Sequence, residues 1–317
     1  MTPNERVHAA LKAEKVDRPP FIFWHHFKPE GSGERLAELT LDFFIKKFNL
    51  DIIKIMPDLP YPMPGIPYSG PDQISNLPRL DLNTPMFREQ LICIKKIRSE
   101  VGEDYPLILT QFSPLTHLIR YIGRKKAIIE IRQNPKPYQK AMDTIAANLR
   151  LIMEAAIEAG ANGIFFSSMG ATSSQFTRHE YEIYGTSYDL QALEGTRKGW
   201  LNIIHIHADP DRQDDQLYFD MFANYPVSAV SWSDKVTGPT LSEARKLTGK
   251  CLMAGLYERG PLTHGDEKAL EDEMQNAITQ TGGKHFILAN GCSIPNDTPE
   301  NWLIYARKHI ETLKLLI

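Results

Sequence analysis

One (β/α)8 TIM barrel spanning residues 1–317 is the fold class this sequence predicts. Eight short, apolar, β-rich runs recur along the chain, and longer stretches with helical periodicity lie between them. The runs are apolar on both faces, as strands are when helices cover one side and barrel side chains fill the other. None is followed by the G-x-G-x-x-G turn of an open dinucleotide-binding sheet. At roughly 150 residues per domain the length allows two domains, but α/β barrels of this size are routine.

Thr2-Pro3-Asn4-Glu5 opens an N-terminal helix. Thr2 caps it, Pro3 suits its first position, and Glu5 stands where a capping box wants a carboxylate. Pro19-Pro20 stops the element and leads into the first strand, 21–24. A helical pattern over 35–48 precedes strand two, 51–56. Residues 57–87 hold eight prolines (57, 60, 62, 64, 67, 71, 78 and 85) and read as a long loop. Cys93 then falls in a helical pattern before strand three, 106–111. The segment 113–159 predicts two helices, one of them over 137–159, and strand four follows at 163–168. Strand five is 202–207, with a helix over 211–224, and strand six is 229–233, with a helix over 240–249. Strand seven, 251–256, is opened by Cys251 and leads to a helix over 266–280. Gly282-Gly283 is a loop before strand eight, 285–290, and a helix over 299–316 ends the chain.

Composition narrows the function classes. Lys and Arg total 36 against 39 Asp and Glu, a formal net charge of −3. No basic cluster stands out, so nothing attracts nucleic acid. No run approaches about 18 consecutive apolar residues, so no membrane span is expected. Residues 1–20 are charged throughout and do not read as a signal peptide. Three cysteines close no disulfide framework, and a cytoplasmic home is the expectation.

Barrel active sites lie at the carboxyl ends of the strands. The polar residues predicted there are His25 and His26, Asp58, Gln111 with Ser113, Ser167 and Ser168, His205 and His207, Ser233 and Asp234, Glu258, and Cys292. Strand alternation puts His205 and His207 on one face and Ile204 and Ile206 on the other, so both imidazoles point into the lumen. Strand eight lies across the mouth from strand five, and Cys292 follows it directly. Two imidazoles and a thiolate converging there make a zinc site with an open position. The alternative is two core-lining histidines and an unrelated cysteine. His25-His26 directs one imidazole into the lumen, as a proton donor or a rim histidine. Asp58 is a candidate base or substrate anchor, or a turn cap; Asp234 a histidine orienter, a fourth ligand, or a helix cap. Glu258 completes the catalytic candidates, and Gln111, Ser113, Ser168 and Trp232 are the substrate-binding candidates.

Several stretches resemble the uroporphyrinogen decarboxylase family: TPNERVHAAL…VDRPP at the start, PLILTQFSP at 106–114, WSDKVTGPTLSEAR at 232–245, GLYE at 255–258, and GCSIP…TPEN at 291–301. The resemblance implies a single barrel with its cleft at the strands' carboxyl ends, and it implies one of two chemistries. Decarboxylases of the family use no cofactor. They grip a tetrapyrrole acid with arginines after strand one, an aspartate after strand two, and a histidine in a G-H-G turn after strand eight. Asp58 matches that aspartate, but residues 24–30 (WHHFKPE) carry no arginine, and Cys292 replaces the histidine. The second branch resembles methylcobalamin:coenzyme M methyltransferases and, more remotely, cobalamin-independent methionine synthase. These bind zinc through an H-x-C pair and a later G-C turn. His205 matches the histidine, Cys292 the last cysteine, and His207 stands at the first cysteine. The resemblance thus implies a zinc-dependent methyltransferase acting on a small-molecule substrate, with a corrinoid such as methylcobalamin, free or on a partner protein, as donor, and a homodimer by analogy. A decarboxylase of uroporphyrinogen or a related pyrrolic acid is the alternative, and a non-catalytic corrinoid or tetrapyrrole binder the third reading.

Overall fold

The computed structural model describes residues 1–207 and 215–313. Eight parallel strands form one curled sheet in the order β1-β8-β7-β6-β5-β4-β3-β2, with helices between successive strands, as a TIM barrel requires. The strands are β1 (Phe21–Ile22), β2 (Ile53–Ile55), β3 (Leu107–Phe112), β4 (Gly163–Ser168), β5 (Ile203–Ile206), β6 (Ala229–Trp232), β7 (Cys251–Leu256) and β8 (Phe286–Asn290). Each falls on its predicted run. Apolar content on both faces was the right signal, because both faces are buried.

β1 and β2 form no ladder, and a polar cluster joins them instead. The Asp51 amide donates to the Phe21 carbonyl at 3.1 Å, and the Asp51 carboxylate accepts from the Phe21 amide at 2.8 Å. That carboxylate is 1% exposed and also accepts from Arg6 Nη1 at 2.6 Å and Arg18 Nη1 at 2.5 Å. Arg6 belongs to the N-terminal helix Pro3–Leu11, whose capping box between Thr2 and Glu5 is formed as predicted. The helix therefore fastens to the barrel through this cluster.

The helical layer departs from expectation in several places. The segment after β3 holds three helices, Pro114–Ile122, Arg124–Gln133 and Pro135–Glu158, rather than two. Gly123, at φ +93°, ends the first, and Asn134, held out of the helical region before Pro135, ends the second. The proline-rich stretch is mostly irregular, but Pro71–Ser75 is a short helix and Pro85 starts the helix Pro85–Val101. Proline at a first helical position opens an element as readily as it breaks one. The 35–48 helix begins at Gly33 and passes into a π-helix over Asp42–Lys47. In place of the 211–224 helix there is a single 3-10 turn, Phe219–Phe222; residues 211–214 of that expectation lie outside the described residues. The last helix is Glu300–His309, and the expectation's residues 314–316 lie outside as well. Among the described residues no helix is long and apolar enough to cross a membrane.

Candidate active site

Parallel pairing fixes which residues face the lumen. Phe112 is in register with Ser167, Ser167 with His205, and His205 with Ser231; two residues earlier, Thr110 is in register with Phe165. Side chains in register on neighbouring strands share a face. Thr110, Phe112, Phe165, Ser167 and His205 accordingly line one cavity of about 320 Å³ at the carboxyl ends of the strands. His207 lies just beyond β5, and Cys292 and Ser293 just beyond β8, on its wall. A smaller space of about 120 Å³ shares His205, His207, Cys292 and Ser293 and adds Ser233, Glu258 and Arg259.

The predicted trio thus meets around one cavity. Gly291 makes the turn that delivers Cys292: a Cβ there would stand 2.6 Å from Ser233 Cα and 2.8 Å from Glu258 Oε2. The same turn is tied to the segment just beyond β1, where the Ile294 amide donates to the Trp24 carbonyl at 3.0 Å, and is braced internally by Asn290 Nδ2, which donates to the Cys292 carbonyl. His205 is buried, its ring stacked on Phe165, with Nδ1 3.1 Å from Ser231 Oγ. Burial first, then His207 and Lys54, holds its pKa well below the ordinary value, so it is neutral. Its ring centroid is 5.9 Å from that of His207. Burial pushes the Cys292 thiol up to about 11, with the nearby Glu258 carboxylate adding to the rise.

Two imidazoles and a thiol are the donor types zinc takes. Among the described residues, however, no three His, Cys, Asp or Glu side chains stand close enough together to hold a metal ion. The set fits zinc in donor type, and gathering it around an ion needs side-chain movement toward the cavity.

Asp58, at the end of β2, accepts from the Phe27 amide at 2.6 Å and holds His26 Nδ1 at 2.6 Å from its other oxygen. His26 is the imidazole of the 25–26 pair that lines the cavity, half exposed at its rim. His25 packs against Phe27 and Phe43 instead, and burial lowers its pKa. Glu258 is buried and accepts from Ser233 Oγ at 3.0 Å, while its Oε2 has no hydrogen-bond partner. Burial raises its pKa. Asp234 turns away: it accepts from the Gly255 amide at 3.1 Å and pairs with Lys235.

None of the four substrate-binding candidates lines the cavity around His205, His207 and Cys292, although Gln111 lines a neighbouring one of about 240 Å³ that shares Thr110, Phe112 and Arg120 with it. Gln111 donates to Gln90 of the helix Pro85–Val101. Ser113 caps the helix Pro114–Ile122. Ser168 is bonded to Tyr181 and Asp189 behind the sheet, and Trp232 donates to the Pro239 carbonyl. Gln111, Ser168 and Trp232 have the strand parity opposite to Phe112, Ser167 and Ser231, so one position along a strand separates lumen from helix layer.

Sequence reasoning passed over Lys54. It is the middle residue of β2, 1% exposed, and lines the cavity. Its Nζ stands 4.3 Å from the Phe165 ring centre, 5.0 Å from that of Trp24, and 3.2 Å from Met56 Sδ. Burial pushes its pKa down to about 7, against smaller opposing effects of Cys292 and Asp58. The available signal was a lone lysine inside an otherwise apolar strand, a placement that costs stability unless used.

The profile of the family described as Uroporphyrinogen decarboxylase (URO-D) matches residues 53–306. No curated protein sequence matches the chain. Among solved structures it is similar to a methyltransferase from Methanosarcina mazei, at TM-score 0.74 and 17% identity over 98% of each chain. It is also similar to a B12-independent methionine synthase from Shewanella sp. W3-18-1 in complex with selenomethionine, at TM-score 0.50 and 13% identity, covering 70% of this chain and 66% of that one.

Proposed function

The chain belongs to the uroporphyrinogen decarboxylase family, and on that premise we propose that it is a zinc-dependent methyltransferase, moving a methyl group from a corrinoid to a thiol-type acceptor. The observation that carries the reading is the meeting of Cys292, His205 and His207 around one cavity at the barrel mouth. The fold it shares with a protein described as a methyltransferase supports the same branch. Zinc, where bound, would be held by these three side chains and would keep a thiol ionised at neutral pH. The rest falls to the chain itself. Neutral His205 keeps a lone pair available, while the uncomplexed Cys292 thiol stays protonated near pH 7, its pKa standing at about 11. Trp24, Phe112 and Phe165 wall the cavity against water, and Asp58 fixes the orientation of His26 at the rim.

The test is demethylation of methylcobalamin in the presence of small thiols, followed by loss of cobalt–carbon absorbance. Zinc-loaded protein is expected to turn over, and Cys292→Ser to lose most of its zinc and slow roughly 100-fold. Zinc-loaded protein that leaves methylcobalamin untouched across a panel of thiols sinks the reading.

A carboxy-lyase of the same family is the second reading. Asp58 at the end of β2 and the cations Lys54 and Arg120 on the cavity wall favour it. Incubation with uroporphyrinogen is expected to yield little coproporphyrinogen, since residues 24–30 supply no arginine for a many-carboxylate substrate. Turnover in the ordinary enzyme range, roughly 1 to 1,000 per second, would reverse the preference.

A further inference from the structure

We propose that Lys54 and Thr110 form a carboxylate-binding subsite on the cavity wall, and that the small molecule this barrel takes is an apolar organic acid. Two separate observations point to an absent ligand there. Lys54 is a fully buried amine held by two aromatic rings and a thioether, and among the described residues it pairs with no carboxylate. Thr110 Oγ1 is a buried hydroxyl with no hydrogen-bond partner. A native barrel leaves few such groups unsatisfied without reason.

The two are neighbours. Lys54 is in register with Ile108, which makes Thr110 the next lumen-facing residue along β3. Thr110 is in turn in register with Phe165, the residue whose ring lies nearest the Lys54 ammonium. Both residues line the same cavity, whose described lining residues include no Asp or Glu.

The chemistry selects the ligand. The amine meets one thioether sulfur and has donors to spare, and the hydroxyl supplies one more. The Lys54 amine and the Thr110 hydroxyl present donors on two adjacent strands, which suits the two oxygens of a carboxylate, and Arg120 adds a second cation on the same cavity wall. Trp24, Met56, Phe112 and Met169 offer an apolar or aromatic body one face of the cavity, and the polar His26, Ser167, His205 and His207 line the rest.

The subsite rests on this cavity being the reaction site, as proposed above, but binding is read without turnover, so loss of methyl transfer leaves the subsite standing. Titration calorimetry on the purified full chain would compare benzoate, benzamide, benzenesulfonate and inorganic phosphate. Benzoate is expected to bind best. Lys54→Met should weaken it roughly tenfold or more and Thr110→Val several-fold, with benzamide little changed by either. The proposal is overturned if benzoate does not bind, if benzamide binds as tightly, or if Lys54→Met binds benzoate like the parent. Preference for phosphate or benzenesulfonate overturns the carboxylate assignment. Lys54→Gln guards against a packing artefact of the methionine: equal loss in both variants supports a role for the charge, and full retention in Lys54→Gln overturns it.

Discussion

Lys54 shows how much one buried side chain sets at the residue scale. Its ordinary pKa of 10.5 falls to about 7 in the folded barrel through burial, against smaller opposing effects of Cys292 and Asp58. Between those values the unfolded chain holds the proton and the folded chain does not. Stability contributed by this site therefore rises with pH, by up to about 1.4 kcal/mol per unit, from pH 7 toward 10.5. Below pH 7 the full cost of a buried ammonium is present. Chemical unfolding of Lys54→Met at pH 6 and pH 9 is expected to show a more stable protein at pH 6 and a flatter pH dependence. A parent and variant with identical slopes would count against the buried charge. One side chain away, the parity of β3, β4 and β6 sends Gln111, Ser168 and Trp232 to the helix layer and Thr110, Ser167 and Ser231 to the lumen. Sequence reasoning chose a face by alternation only on strand five; on the other strands it named Gln111, Ser167, Ser168 and Trp232 without assigning them a face, and it named neither Thr110 nor Ser231.

Elements are joined here by devices that hydrophobic patterning does not reveal. The β1–β2 seam has no ladder, and Asp51 bridges it by accepting from Arg6, Arg18 and the Phe21 amide at once. Removing one charge of a buried cluster leaves its partners uncompensated. Asp51→Asn is therefore expected to cost about 3–5 kcal/mol in urea unfolding, with the N-terminal helix the first segment to lose hydrogen-exchange protection. A loss under about 1 kcal/mol would mean the cluster behaves like a surface ion pair. The turn after β8 is equally specific. A methyl group on residue 291 would overlap Ser233 and Glu258, so Gly291→Ala is expected to displace Cys292 from the cavity. The measurement is zinc content, which should fall as it does in Cys292→Ser; full retention would show that the turn yields without moving the thiol.

At the scale of the whole molecule, a ligand bound only by the folded chain stabilises it by mass action. Zinc at about 100 times its dissociation constant is expected to add about 2.7 kcal/mol, read as a rise in melting temperature that His205→Ala and Cys292→Ser abolish. An equal rise in both variants would place the ion elsewhere. The barrel was legible from residue order alone because alternation of apolar strands and helical stretches is a local property, and a sheet buried on both faces leaves it in every run. The chemical types at the mouth were legible for a related reason: His205, His207 and Cys292 sit at strand ends, and strand ends can be counted. Lumen against helix layer, Asp51 as the clasp of the seam, and Lys54 with Thr110 on the cavity wall were decided only by the tertiary structure. Each depends on the register between strands and on partners tens to hundreds of residues away, and such separations leave no periodic trace in the chain.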